Sequence, residues 1–337
     1  MLRSFLAASF FAAGSAIVSL VFLSGAAPSQ QKATHGPIAT AAKTADEAAF
    51  TRKEDVIYGR KYGTALTLDV FTPKKDPNGA AVVFVVSGGF FSSHEAIRLP
   101  FLKPFLDRGY TVFAVVHGCQ PRFQVPEIVQ DMNRAVRFIR YHAKDYGIDP
   151  ERIGVTGASA GGHLSLMLGT AGDKGKPGAA DPVERESSRV QAVACFFPPT
   201  DFLNYGGPGL EKIHATDFQP PFRASFDYRE LDKKTNLWER VTDENKLRDI
   251  TRAISPITYI TPDDPPTLII HGDKDTLVPL QQSESFIEKL KAAGVEGKLI
   301  VKKGAGHGFW PDMGKDLERF AEWFDRYLKK PAASVRP

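Results

Sequence analysis

The chain has 337 residues, 42% hydrophobic and 24% charged, with a formal net charge of +4. That balance is ordinary for a soluble globular protein, and the length suits one large α/β unit. Basic residues are spread along the chain with no Lys/Arg run interleaved with aromatics, which excludes a nucleic-acid-binding face of the usual kind.

At the N-terminus, Arg3 precedes an apolar, charge-free run from Phe5 to Leu23, then the small residues Ser24-Gly25-Ala26-Ala27. This is the pattern of a secretory signal peptide, residues 1–26, cleaved after Ala26. The run is also long enough to span a bilayer, so a retained membrane anchor is the alternative. Either way the remainder is expected outside the cytoplasm, secreted or periplasmic, with membrane attachment only through this segment. Residues 27–48, rich in Ala, Thr, Gln, Ser and Pro, read as a flexible linker. A folded domain is expected over 49–330, followed by a short tail, 331–337.

Lys53–Tyr58 and Ala65–Phe71 read as an antiparallel hairpin joined through Gly59 and Gly63. Ala80–Val86 is apolar throughout, as a strand covered on both faces should be. Thr111–Val116, Ile153–Thr156, Val190–Phe196, Thr267–His271 and Lys298–Lys302 are further strands. Between them, Glu127–Lys144, Gln281–Ala293 and Gly314–Lys329 carry apolar residues at helical spacing. Alternating strands and helices predict a mostly parallel sheet with helices on both faces and an antiparallel hairpin at its start. Residues from about 201 to 262 break the rhythm with Gly/Pro clusters and scattered aromatics, among them Trp238. They read as an inserted lid without clean secondary structure.

Gly157-Ala-Ser159-Ala-Gly161 follows a strand and opens an apolar helix, the setting of a nucleophile elbow. A serine hydroxyl needs a base. His307, in Gly304-Ala-Gly-His-Gly308 after the last strand, is the histidine so placed. His163 and His271 read as structural; His94 and His117 follow strand ends and read as structural, with a place lining the pocket as the alternative; His35 lies in the linker, and His142 and His214 lack supporting context. The base needs an orienting carboxylate. Asp275 lies further into the loop after Thr267–His271, while Asp273 adjoins the strand end and shapes the turn. The chain order Ser, Asp, His is that of the α/β-hydrolase fold. One donor to an oxyanion is the amide of Ala160, after the nucleophile; the other is expected from Ser87-Gly88-Gly89-Phe90-Phe91.

The stretch from about 50 to 330 resembles the esterase branch that includes hormone-sensitive lipase, kynurenine formamidase and acetyl-xylan and feruloyl esterases. Gly157–His163, His271–Pro279 and Gly306–Gly308 carry the likeness. The resemblance implies the triad roles for Ser159, Asp275 and His307, and hydrolysis of carboxylic esters through an acyl-enzyme. By position it gives the oxyanion amides to Gly89 and Phe90. The family's loop begins with a histidine that braces it; here Ser87 stands in that place. Phe90, Phe91 and Trp238 are expected to bind substrate, a small-molecule or polysaccharide-linked ester. The alternatives are an exopeptidase of the prolyl-oligopeptidase type and a non-catalytic hydrolase-fold binding module. No metal or nucleotide motif is present and no cofactor is expected. In the strand order common to this fold, the strand preceding Cys119 and the one ending at Cys195 are separated by two others, too far apart for a disulfide.

Overall fold

The computed structural model describes residues 49–308 and 310–329. The expected export segment (1–26), linker (27–48) and tail (331–337) lie outside the described residues. Ten strands are described: β1 (Phe50–Lys61), β2 (Thr64–Pro73), β3 (Ala81–Val86), β4 (Thr111–Val116), β5 (Ile153–Ala158), β6 (Ala192–Phe196), β7 (Arg229–Asp232), β8 (Leu237–Arg240), β9 (Thr267–Gly272) and β10 (Gly297–Lys302). Eight form one sheet in the order β1-β2-β4-β3-β5-β6-β9-β10. The β1–β2 and β2–β4 pairs are antiparallel and the remainder parallel. This is the expected α/β-hydrolase architecture. The hairpin turns at Tyr62-Gly63, both at positive φ, whereas Gly59 lies within β1. A two-residue turn with both φ values positive matches the twist of its strands.

The central strands read as continuous apolar runs because each face meets a different layer. Val83, Val85, Val155, Val193, Cys195 and Ile269 face one core, which the helices α2 (Val125–Tyr141), α3 (Ala160–Thr170) and α5 (Gln281–Ala292) cover. Their neighbours Val82, Val86, Ala192, Ala194, Leu268 and Ile270 face the other, under α1 (Leu99–Leu106) and α6 (Met313–Leu328). That alternation is the period-two geometry of a strand.

Segment 201–262 is more regular than its sequence suggested. It holds 3-10 turns, the separate β7–β8 hairpin and the helix α4 (Glu244–Ala253), capped by Asp243 Oδ1 accepting from the Lys246 amide at 2.9 Å. The apolar stripe of this helix is narrow, since most of its residues are polar and only Leu247 and Thr251 are buried. Cys119 and Cys195 are free thiols. The strand before Cys119 and the strand bearing Cys195 have two others between them.

Candidate active site

Ser159 follows β5 and caps α3 with φ 55° and ψ −119°, a strained conformation for a non-glycine residue. Its amide donates to the Phe196 carbonyl at 3.0 Å, tying the turn to β6. Glycines flank the turn for space: a Cβ on Gly157 would lie 2.5 Å from the Gly161 carbonyl oxygen, and one on Gly161 2.9 Å from that of Val85. Strand and helix therefore approach as closely as the elbow requires.

Ser159 Oγ lies 2.9 Å from His307 Nε2, and His307 Nδ1 lies 2.7 Å from Asp275 Oδ2. The hydroxyl donates to Nε2, and Nδ1–H donates to the carboxylate. Asp275 is buried, and its Oδ1 accepts from the amides of Leu277 (2.9 Å) and Val278 (2.8 Å). His271 Nε2 stands 3.2 Å from Asp275 Oδ2 and 2.9 Å from the Val278 carbonyl, while its Nδ1 faces Ser283 Oγ at 2.7 Å. Burial alone would push the Asp275 carboxyl up. The hydrogen bonds from His271 and His307 outweigh it and hold the group well below the usual carboxylate range. Asp273 is outside this relay; its Oδ1 accepts from the Gly304 amide at 2.6 Å and shapes the turn. Phe197, at φ 34°, sets its ring edge-on to His307 with centroids 4.6 Å apart.

Gly88 and Phe91 exchange two backbone hydrogen bonds, 3.0 and 2.9 Å, around Gly89 and Phe90, which have φ 55° and 64°. This tight turn turns the two central amides away from its own hydrogen bonds. Among the described residues no group accepts from the amide of Gly89 or Phe90. Ala160 opens α3, where backbone amides have no intrahelical partner. All three residues border the cavity at Ser159.

The brace that the loop lacks at Ser87 comes from elsewhere. His117 Nδ1 lies 2.8 Å from the Gly118 carbonyl and its Nε2 2.8 Å from Ser87 Oγ, so Ser87 donates to a neutral imidazole. Gln120 Nε2 donates to the Gly89 carbonyl at 2.5 Å, and the Gln120 amide to that of Phe90 at 3.3 Å. Neither His117 nor Gln120 was assigned a site role from the sequence, since the brace reaches some 30 residues along the chain.

The cavity at Ser159, about 240 Å³, is walled by Phe90, Phe202, Tyr205, Phe218, Phe222 and Phe226, with Lys212 and Asp217 at its polar border. Phe218 and Phe226 stack in parallel, and Phe90 meets Phe226 edge-on at 5.6 Å. Most of this wall comes from segment 201–262. Two expected contacts are corrected. Trp238 sits on the β7–β8 hairpin with 62% of its surface exposed and is not part of the wall, because strand pairing holds it outward. Phe91 is not part of it either: its backbone closes the turn with Gly88, and Phe90 is the residue that reaches the cavity. A larger groove of about 760 Å³ lies elsewhere, between β1 and α2, and its Arg134 and Arg137 already pair with Asp173, Asp181 and Glu184. Asp55, Asp69 and His94 could approach one cation, but Asp69 already binds the Arg52 guanidinium.

A parallel sheet flanked by helices, with a serine elbow, a histidine loop and an acid loop converging at one edge, defines an α/β-hydrolase. The chain belongs to the BD-FAE family, whose model matches residues 68–290. The dienelactone hydrolase family model matches residues 251–331. The probable carboxylic ester hydrolase LipM of Mycobacterium tuberculosis is 31% identical over 248 residues, which cover 72% of this chain and 52% of that protein. A truncated carbohydrate esterase from gut microbiota superposes with a TM-score of 0.69 at 26% identity, covering 85% of this chain and 99% of its own. A bifunctional GH43-CE protein of Bacteroides eggerthii gives a TM-score of 0.64 at 31% identity, covering 81% of this chain and 38% of its own. The chain spans between about half and three fifths of the length of the curated relatives it matches.

Proposed function

We propose that the protein is an exported serine hydrolase that cleaves carboxylic esters through an acyl-enzyme. The observation that carries the reading is the unbroken relay from Ser159 Oγ through His307 to Asp275, at 2.9 and 2.7 Å. Ser159 Oγ attacks the ester carbonyl as His307 Nε2 takes its proton. Asp275, kept ionised by its donors, fixes the tautomer of His307 and stabilises the imidazolium. The amides of Ala160, Gly89 and Phe90 take the oxyanion. His307 then passes its proton to the leaving alcohol, and water, deprotonated by the same histidine, frees the acid. The esterase names of the relatives support the reaction class. An apolar cavity beside the nucleophile supports a small acyl or alcohol group as its occupant. Export rests on the Arg3 to Ala27 pattern.

A fluorophosphonate should add once, at Ser159, and Ser159→Ala should lower kcat by about a million-fold on short-chain esters. An aminoacyl anilide run alongside distinguishes an exopeptidase. Labelling at another serine, or full activity in Ser159→Ala, refutes the assignment. N-terminal sequencing of the protein from its native host separates a cleaved signal from a retained anchor.

A further inference from the structure

Cations in segment 201–262 mostly have carboxylate partners. Arg229 and Arg240 pair with Asp227, Lys246 with Glu230, Arg248 with Glu211 and Glu244, and Arg252 with Asp249. Lys212 differs. It is half-buried at the border of the cavity that opens at Ser159. Its amide donates to the Phe202 carbonyl at 2.7 Å, which fixes its root. Its Nζ donates to the Asp217 carbonyl at 2.6 Å and lies 5.0 and 5.4 Å from the ring centroids of Tyr205 and Phe218. Among the described residues no carboxylate forms an ion pair with it. The Asp217 side chain, also at the border, accepts instead from the His214 amide at 2.8 Å.

An ammonium has three protons to donate, and one is used here. Aromatic faces offset part of the loss of water around the charge. A partly desolvated cation with free donors gains most from an anion that arrives with the ligand. We infer that Lys212 reads an ionised carboxylate on the substrate, so that the preferred esters are half-esters of short dicarboxylic acids. The ester carbonyl lies at Ser159, the methylenes run along the aromatic wall, and the free carboxylate ends at Lys212. The cavity sets the length. At about 30 Å³ per water-sized group, 240 Å³ holds about eight non-hydrogen atoms, which suits a glutaryl group. This inference rests on the reading of Ser159 as the nucleophile.

The test compares monomethyl glutarate with methyl pentanoate, which has the same chain without the charge. In wild-type protein at low salt, kcat/KM should favour the glutarate by about tenfold, and the preference should shrink as salt rises. Lys212→Met should bring the ratio of the two close to one, and Lys212→Glu should invert it. Calorimetry on Ser159→Ala gives a second readout independent of turnover: monomethyl glutarate should bind about tenfold more tightly than to the Ser159→Ala/Lys212→Met double variant. If Ser159 is not the nucleophile, turnover of both esters survives in Ser159→Ala while this difference in binding remains. A wild-type preference for the pentanoate, or a glutarate preference that persists in Lys212→Met, overturns the inference.

Discussion

Acidification should unfold this protein through two histidines that its fold keeps neutral. His117 and His163 are buried, and burial pulls both imidazoles down to about 4. In the unfolded chain they titrate near 6.5. Between those values the unfolded state holds a proton on each ring and the folded state does not. Their contribution to stability is therefore complete above about pH 6.5 and lost as the pH falls to about 4. At about 1.4 kcal/mol per pH unit for each ring, the loss is on the order of 3.5 kcal/mol apiece, or about 7 kcal/mol together. That is comparable with the whole stability of an ordinary domain. Asp131 works in the opposite sense: burial raises its carboxyl against the pull of Lys61, so the folded state takes up that proton before the unfolded state does. Urea unfolding followed by tryptophan fluorescence from about pH 7.5 to about pH 4.5 reads the slope. His117→Gln removes one ring and should reduce the slope by about half, whatever it does to stability at neutral pH. A free energy of unfolding that stays level from about pH 6.5 to about pH 4.5, or a slope unchanged in His117→Gln, refutes the reasoning.

Gly89→Ala should lower kcat by about 10²- to 10³-fold if its amide serves the proposed oxyanion site, since φ 55° disfavours alanine and its Cβ would strike the Phe222 ring and displace that amide; steady-state kinetics with a thermal melt separates this from unfolding. Phe222→Ala should change the ranking of ester chain lengths by about 1–3 kcal/mol in kcat/KM, while Trp238→Ala leaves it unchanged. A matching change in both variants would contradict the outward position of Trp238. Thiol titration of the denatured protein should find two free cysteines. In the native state Cys195 should resist alkylation, because burial pushes its thiol well up.

The sequence yielded strands wherever a run was apolar at every position, as in Ala81–Val86, because two-sided burial leaves no other pattern. Ser159, Asp275 and His307 could be picked out together because each follows a strand that ends at the same edge of the sheet. Leu99–Leu106 escaped notice, since Pro100 and Pro104 mask a short helix that packs against the C-terminal one. Glu244–Ala253 was not legible because most of its residues are polar and its apolar stripe is short, which leaves the Asp243 cap as its clearest mark. The cavity wall was legible as a segment but not residue by residue. Aromatic content drew attention to Trp238, yet which aromatics turn inward depends on the hairpin and turns that the segment forms. The roles of His117, Gln120 and His271 depend on contacts with residues remote in sequence or on a loop's return, which spacing does not encode.

Phe90 carries two duties at once. Its amide belongs to the turn facing Ser159, while its ring, edge-on to both His163 and Phe226, forms part of the cavity wall. A change of side chain there, made to admit another ester, also alters the strain of a non-glycine residue at φ 64°. New specificity should therefore be reached more readily through segment 201–262, where Phe218 packs on Phe202 and Phe226 and can vary without touching the backbone of residues 87–91. A laboratory library that spares residues 87–91 and randomises the inward-facing positions of that segment should retain far more active members than one that includes Phe90.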